Sequence, residues 1–350
     1  MAFPGEQLIS KMWESLIDKG IGSLLRPRSI RADGRANTQV KAEEILLLAQ
    51  AERQALAIRK GELDVVAEAG KPLLLITTEK QNSVAIEEPT KQLEKQKPQN
   101  IQRNPTQVAL NSIASDQIRK EVNISKAILF AESLLEEDTT KVTDQPLNDD
   151  WLFRWQDYAG QVVTEDIQQL WGKLLAGEIK QPGKFSLRTL DFIKNISTKE
   201  ARNIEEIAPL ILTDFIFRDE KILERRGISF GFLLRMQEIG ILSGVESIGV
   251  QRILPSFEVN RFIHVLTSDK RAIVIKHTDS TRKCQLPIYA LTELGQEVLT
   301  LCNTRVNEGY IQDVARSISN LDFQVETADC ILNDGLVQWF NSKIIKKEQP

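Results

Sequence analysis

The 350-residue chain is short of the residues that carry most recognisable chemistry. It has only three cysteines, Cys284, Cys302 and Cys330, and no C-x-x-C pair, which argues against a disulfide framework and against a structural zinc site. Two histidines, His264 and His277, leave little material for a metal cluster or a classical triad. No apolar run approaches the roughly 20 residues that a membrane span needs. The opening Met1-Ala2-Phe3-Pro4-Gly5-Glu6 lacks the charged and apolar regions of a secretory signal. Nor is there an excess of positive charge: the net charge is −4, so no overall basic field draws the chain to nucleic acid, although a local basic face stays open. These absences predict a cytoplasmic protein without a recognisable catalytic constellation, for which neither a cofactor nor a metal is expected.

What is present is helical periodicity. Glu6 to Leu25 reads as an amphipathic helix with Leu8, Ile9, Met12, Trp13, Leu16 and Ile17 at helical spacing. A long stretch from Asn37 to Ala69, rich in good helix formers, carries a narrow stripe of Ile45, Leu48, Ala49, Ala55 and Ile58. That stripe suits a hairpin or an oligomeric coiled coil. Residues 79–105 are dominated by Gln, Lys, Glu, Asn and Pro and read as a linker with too little apolar surface to offset its ordering entropy. Helical pattern resumes from Thr106 to Glu137.

The strongest local signals lie between Trp151 and Leu212. Thr164 stands as a helix N-cap before Glu165 and Asp166, and Ile167, Leu170, Trp171, Leu174 and Leu175 follow as one apolar stripe. Ser186 starts a second helix, with Phe185 and Leu190 placed for a hydrophobic staple, and Ser197-Thr198-Lys199-Glu200 is a capping box. Glu178, Pro182, Ser186 and Arg188 cluster around a Pro-Gly turn. A carboxylate, a guanidinium and a hydroxyl there suit a ligand phosphate or partner carboxylate. The structural alternative has Ser186 capping while Glu178 and Arg188 pair across the helix hairpin. Trp155 and Trp171 are ligand platforms in the first reading and core in the second.

The string Trp171-Gly172-Lys173-Leu174-Leu175-Ala176-Gly177-Glu178-Ile179, followed by Pro182-Gly183-Lys184-Phe185-Ser186-Leu187-Arg188-Thr189-Leu190, resembles the hallmark of a bacterial family known as a domain of unknown function. Arg119 to Ile124, Trp155 and the Gly5-Glu6 and Gly20-Ile21-Gly22 segments are similar to the same family. The W-x-x-L-L-A segment is more loosely similar to abortive-infection proteins of bacterial defence. The resemblance implies kinship and no particular activity.

Toward the C-terminus, Ile228 to Leu242 reads as a helix, residues 261–266 and 272–276 as a hairpin, and Thr292 as the cap of a further helix. A helix, then strands, then a Tyr-x-Leu-Thr-x-x-Gly helix resembles part of a winged-helix domain. Such domains often place a helix in the major groove, and Arg225, Arg226, Arg235 and Arg252 are the candidate DNA contacts. A protein–protein module of similar shape needs no such cations. His264 and His277 lie in or beside the hairpin without a carboxylate or thiolate partner in sequence. Phe323 to Glu326 is the last expected strand.

The expected architecture is therefore mainly α with a smaller α+β part. It comprises an N-terminal helical or coiled-coil segment (1–78), the linker (79–105), a central helical bundle unit (106–212), a winged-helix-like α+β domain (213–342) and a charged tail (343–350). Three functions fit. The first is a non-enzymatic interaction or scaffold protein of a bacterial stress or phage-defence system, self-associating through its N-terminal helices and binding protein partners. The second is a DNA-binding regulator. The third is a peripheral membrane protein held by the first helix, whose Trp13, Lys11, Lys19, Arg26 and Arg28 suit an anionic interface.

Overall fold

The computed structural model describes residues 4–25, 36–66, 74–77, 104–246, 249–302, 305–333 and 336–346. Arg26 and Arg28, the linker up to residue 103 and the last four residues of the tail lie outside them. The chain divides into two compact units, Met1–Leu190 and Asp191–Pro350. The N-terminal and central helices thus share a unit.

The first unit is built on α3 (Pro105–Leu135). Asn104 caps this helix by accepting from the Thr106 amide at 3.1 Å, and Pro105 supplies a preset φ at the first position. Against α3 pack α1 (Glu6–Ile17), α2 (Ala36–Lys60), α4 (Asp149–Gly160) and α5 (Glu165–Lys180). Leu8, Ile9, Met12, Trp13 and Leu16 of α1 are all buried, so the face that suits a lipid interface is enclosed by protein. The second helix stops at Lys60, well short of Ala69, because β1 (Leu63–Val66) turns into an antiparallel pair with β2 (Leu74–Thr77). Leu48, Ala51, Ala55 and Ile58 of α2 are buried at three- and four-residue spacing. Glu52 pairs with Lys126, and the Ser115 hydroxyl donates to the Ala55 carbonyl at 2.9 Å. These pairings run α2 antiparallel to α3, so the narrow stripe serves a hairpin within the chain. Helix α6 (Leu187–Asn195) crosses the boundary between the units.

The second unit begins with α7 (Thr198–Ile207), whose Ser197–Glu200 capping box forms as the sequence predicts. One sheet has the order β3 (Phe215–Phe217), β8 (Cys284–Leu291), β4 (Leu242–Ser243), with β5 (Val250–Leu254) also on β8. The other has the order β10 (Leu336–Ile344), β9 (Gln324–Asn333), β7 (Arg271–His277), β6 (Phe262–Ser268). Between strands run α8 (Glu220–Glu224), α9 (Phe230–Glu238), α10 (Glu293–Leu299) and α11 (Glu308–Ser319). Tyr310, Ile311, Val314 and Ile318 of α11 are buried where it packs on β7 and β9.

The expectation of a mainly α chain with a winged-helix-like end is corrected here. Among the described residues about 51% are helical and about 21% lie in strands, in three antiparallel sheets, which makes it a mixed α/β protein. The hairpin expected at 261–276 does form, as β6 and β7, with Asp269 at φ 50° in its turn. It pairs onward with β9, which the chain supplies only after α11, and so becomes the centre of a second sheet.

Candidate functional site

Every residue of the W-G-K-L-L-A-G-E-I string from Trp171 to Ile179 lies on α5, and its buried members explain one another. Trp155 of α4 is fully buried and donates its indole Nε1–H to the Trp171 carbonyl at 2.9 Å, tying α4 to α5. Gly172 lets α5 approach α3 closely: a Cβ there would stand 2.8 Å from the Ala127 carbonyl oxygen and 2.8 Å from the Phe130 ring. A Cβ on Gly177 would stand 2.6 Å from the Phe185 ring, so that glycine seats the aromatic side chain. Glu178 is 1% exposed. Its carboxylate accepts from the Gly183 amide at 2.6 Å and from the Phe185 amide at 3.1 Å. These charge-assisted bonds close the turn that contains Pro182.

Ser186 begins α6 and accepts from the Thr189 amide at 3.3 Å, while Phe185 and Leu190 are both buried as the staple predicts. Burial, followed by the positive charge of Lys180, lowers the Lys184 ammonium from its ordinary pKa; nearby Glu178 opposes that shift. Lys180 pairs with Asp138 at 2.8 Å. Of the sequence-selected residues, Trp155, Trp171 and Glu178 are therefore interior members of a clamp, with Pro182 and Ser186 shaping its turn. Arg188 stands in the first turn of α6.

Beside the clamp, α2, α3 and the start of α5 enclose an open groove of about 690 Å³. Its apolar lining is Ile45, Leu48, Ala49, Leu129, Phe130 and Val163. Polar groups stand around this lining: the Glu52–Lys126 ion pair, Glu165 and Gln169. Gln168 fixes the α5 wall, donating from Nε2 to Asn123 Oδ1 at 3.1 Å and to the Val162 carbonyl at 3.2 Å. Asn123 in turn donates to the Gly160 carbonyl at 2.9 Å. Ile45 is 61% exposed and Val163 64%, unusually open for β-branched apolar side chains in a concave surface. Sequence reading placed Ile45 in the buried stripe and passed over Val163. The available signal was the four-residue run Ile45-Leu46-Leu47-Leu48, which is wider than one helix face can bury.

The four arginines proposed for DNA are largely engaged inside the second unit. Arg226 donates to the Ile222 carbonyl and to Asp313 at 2.8 Å, and Arg225 reaches the same carboxylate at 3.4 Å. Arg252 pairs with Asp214 and lies over the Phe215 ring. Arg235 lies over Phe232 on its own helix. Three of these cations thus pair with two carboxylates of their own unit, which offsets phosphate-neutralising charge there.

His264 is buried against Phe257 and donates from Nδ1 to the Pro255 carbonyl at 2.8 Å; burial first, and then Arg252, lower its pKa. His277 stacks edge-on with Phe323. Among the described residues no group of three or more His, Cys, Asp or Glu side chains is arranged to hold a metal ion. Cys284, Cys302 and Cys330 form no disulfide, and burial raises the Cys284 thiol to about 12. No helix among the described residues is long and apolar enough to cross a membrane.

The clamp and two of the three groove walls fall in a segment that is similar to a protein family of unassigned function. Residues 107–223, about a third of the chain and running from α3 into α8, match the model of the family described as "Protein of unknown function (DUF2806)". No curated protein and no solved structure matches the chain.

Proposed function

We propose that the protein is a non-enzymatic interaction protein and that the groove between α2, α3 and α5 receives an amphipathic helix of a protein partner. The observation that carries this reading is an apolar trough with Ile45 and Val163 left more than half exposed at its mouth. Apolar anchors within a polar rim are the arrangement by which helices dock into grooves. The clamp supports the same reading, since it holds α4, α5 and the turn before α6 rigid beneath the α5 wall. A cytoplasmic setting fits three cysteines that form no disulfide. Membership of a bacterial stress or phage-defence system rests on the resemblance of the Trp171–Ala176 segment to abortive-infection proteins.

Affinity purification from native cytosol, comparing the wild-type chain with the Ile45→Asp/Val163→Asp double variant, tests this. Covering the exposed part of both side chains is worth roughly 2–3.5 kcal/mol, so the variant loses the groove's partner by about 30- to 400-fold while its melting temperature holds. An identical set of bound proteins for both chains overturns the reading. So does a hydrolase activity of the purified protein that one point substitution abolishes.

A further inference from the structure

We propose that two copies of this chain pair through β10, antiparallel across a two-fold axis at Gln338, joining their four-stranded sheets into one of eight strands. The inference is separate from the helix groove and concerns the second unit alone.

The two edges of the β10-β9-β7-β6 sheet are treated differently. Along β6 the outer edge is covered: the Phe257 amide donates to the Ile263 carbonyl at 2.7 Å, the Thr213 amide to the Thr267 carbonyl at 2.7 Å, and the Ile263 amide to Ser256 Oγ at 3.2 Å. Six of its seven residues are buried. At the opposite edge β10 pairs only with β9 among the described residues, and eight of its nine residues are exposed. They include Leu336 at 70% exposure, Trp339 at 36% and Phe340 at 46%. A long apolar edge left open is the feature that proteins ordinarily blunt.

Here the blunting is confined to one end. The β9 register runs unbroken from Leu336↔Asn333 to Phe340↔Asp329 and then shifts before Lys343↔Thr327, with Asn341 at φ 55° in the irregularity. The bulge and Lys343 close off the second half of the strand, leaving Leu336 to Phe340 as the regular stretch.

That stretch is self-complementary in one register. Residues opposite each other across an antiparallel pair share a face of the sheet. Pairing about Gln338 sets Val337 against Trp339 of the other copy on one face, the face of Leu332 and Cys330. On the other face Leu336 meets Phe340, and Gln338 meets its own copy at the axis. Every apolar side chain finds an apolar partner, and no charge is enclosed. Centring on Trp339 would oppose Gln338 to Phe340 and Val337 to Asn341. Centring on Phe340 would oppose Val337 to Lys343 and put both bulges in the ladder. An isologous contact of this kind closes as a dimer and leaves no further edge of the same sort.

The test is the mass of the full chain by light scattering at micromolar concentration, with charges placed on the exposed Gln338. The wild-type chain is expected at twice 39.6 kDa. Gln338→Lys and Gln338→Glu each oppose like charges at the axis and raise the dissociation constant at least about tenfold, and an equimolar mixture of the two restores the dimer. Leu336→Cys and Phe340→Cys chains cross-link under a mild oxidant when mixed, and neither cross-links efficiently alone. A monomeric wild-type chain overturns the proposal. So does a dimer indifferent to both charges, or one that the mixture fails to restore. Ile45→Asp/Val163→Asp leaves the dimer intact, which separates this result from the fate of the groove.

Discussion

Replacing Glu178 tests whether the family-like motif is a structural clamp. In Glu178→Ala, the Gly183 and Phe185 amides lose a charged acceptor, at 2.6 and 3.1 Å, in a site whose carboxylate is almost wholly enclosed. Hydrogen bonds to a charged group are worth about 1.5–3 kcal/mol each. The Gly183 amide is only partly buried and recovers some of its loss from water. The expected cost is therefore about 3–5 kcal/mol for alanine.

Glu178→Gln keeps the shape but offers one oxygen and one N–H₂ to two donors. It forfeits one bond and opposes two donors, for about 2–3 kcal/mol. Tryptophan fluorescence during urea unfolding reads this out selectively, because Trp13, Trp151, Trp155 and Trp171 all belong to the first unit and only Trp339 to the second. With a denaturant slope of about 2–3 kcal/mol per molar, a 3 kcal/mol loss moves the midpoint down by about 1–1.5 M. A glutamine variant that unfolds with the wild type would refute the dual-acceptor role. An alanine variant that costs no more than the glutamine would refute the argument from two lost bonds.

Two further outcomes follow from the same geometry. Gly172→Ala presses a methyl group to within 2.8 Å of the Ala127 carbonyl; overpacking of about 1–3 kcal/mol outweighs the helix-propensity gain of about 0.5–1, so the urea midpoint falls, and a rise would refute the close approach. His264 has its pKa lowered from 6.5 mainly by burial, so as pH falls below 6.5 the unfolded chain takes up a proton that the folded one refuses, and stability of the second unit falls with it. Hydrogen exchange of β6 and β7 peptides should accelerate over that window in the wild type, and His264→Gln should flatten the dependence.

Several helices of both units were legible because their signals are local. Ser197, Ser186 and Thr292 each cap a helix where the sequence placed a cap, with Thr292 accepting from the Gly295 amide at 2.9 Å. Thr164 also occupies its cap position, although its side chain makes no capping bond. The bonds that Glu178 makes to the Gly183 and Phe185 amides of the intervening turn were not legible, because a backbone acceptor role leaves no side-chain pattern. The β9 and β10 strands were largely missed, because Glu326, Asp329, Gln338 and Asn341 interrupt the apolar alternation. Lys276 neutralises Glu326 and Arg271 neutralises Asp329 from the neighbouring strand, information that resides in the register alone. Asp334-Gly335 between the two runs was the usable sign of a hairpin. The groove is harder still to read, since it is a space between three helices.

The onward pairing of β7 with β9 has a consequence for how the chain emerges from the ribosome. Arg271 meets its partner Asp329 only 58 residues later, after two helices have been made. Until then the β6–β7 hairpin offers an unsatisfied inner edge to the cell, whereas α2 and α3 of the earlier unit can already have closed on each other. Synthesis therefore passes through a vulnerable interval that ends when β9 docks, and substitutions that slow translation across α10 and α11 lengthen that exposure without changing the finished fold.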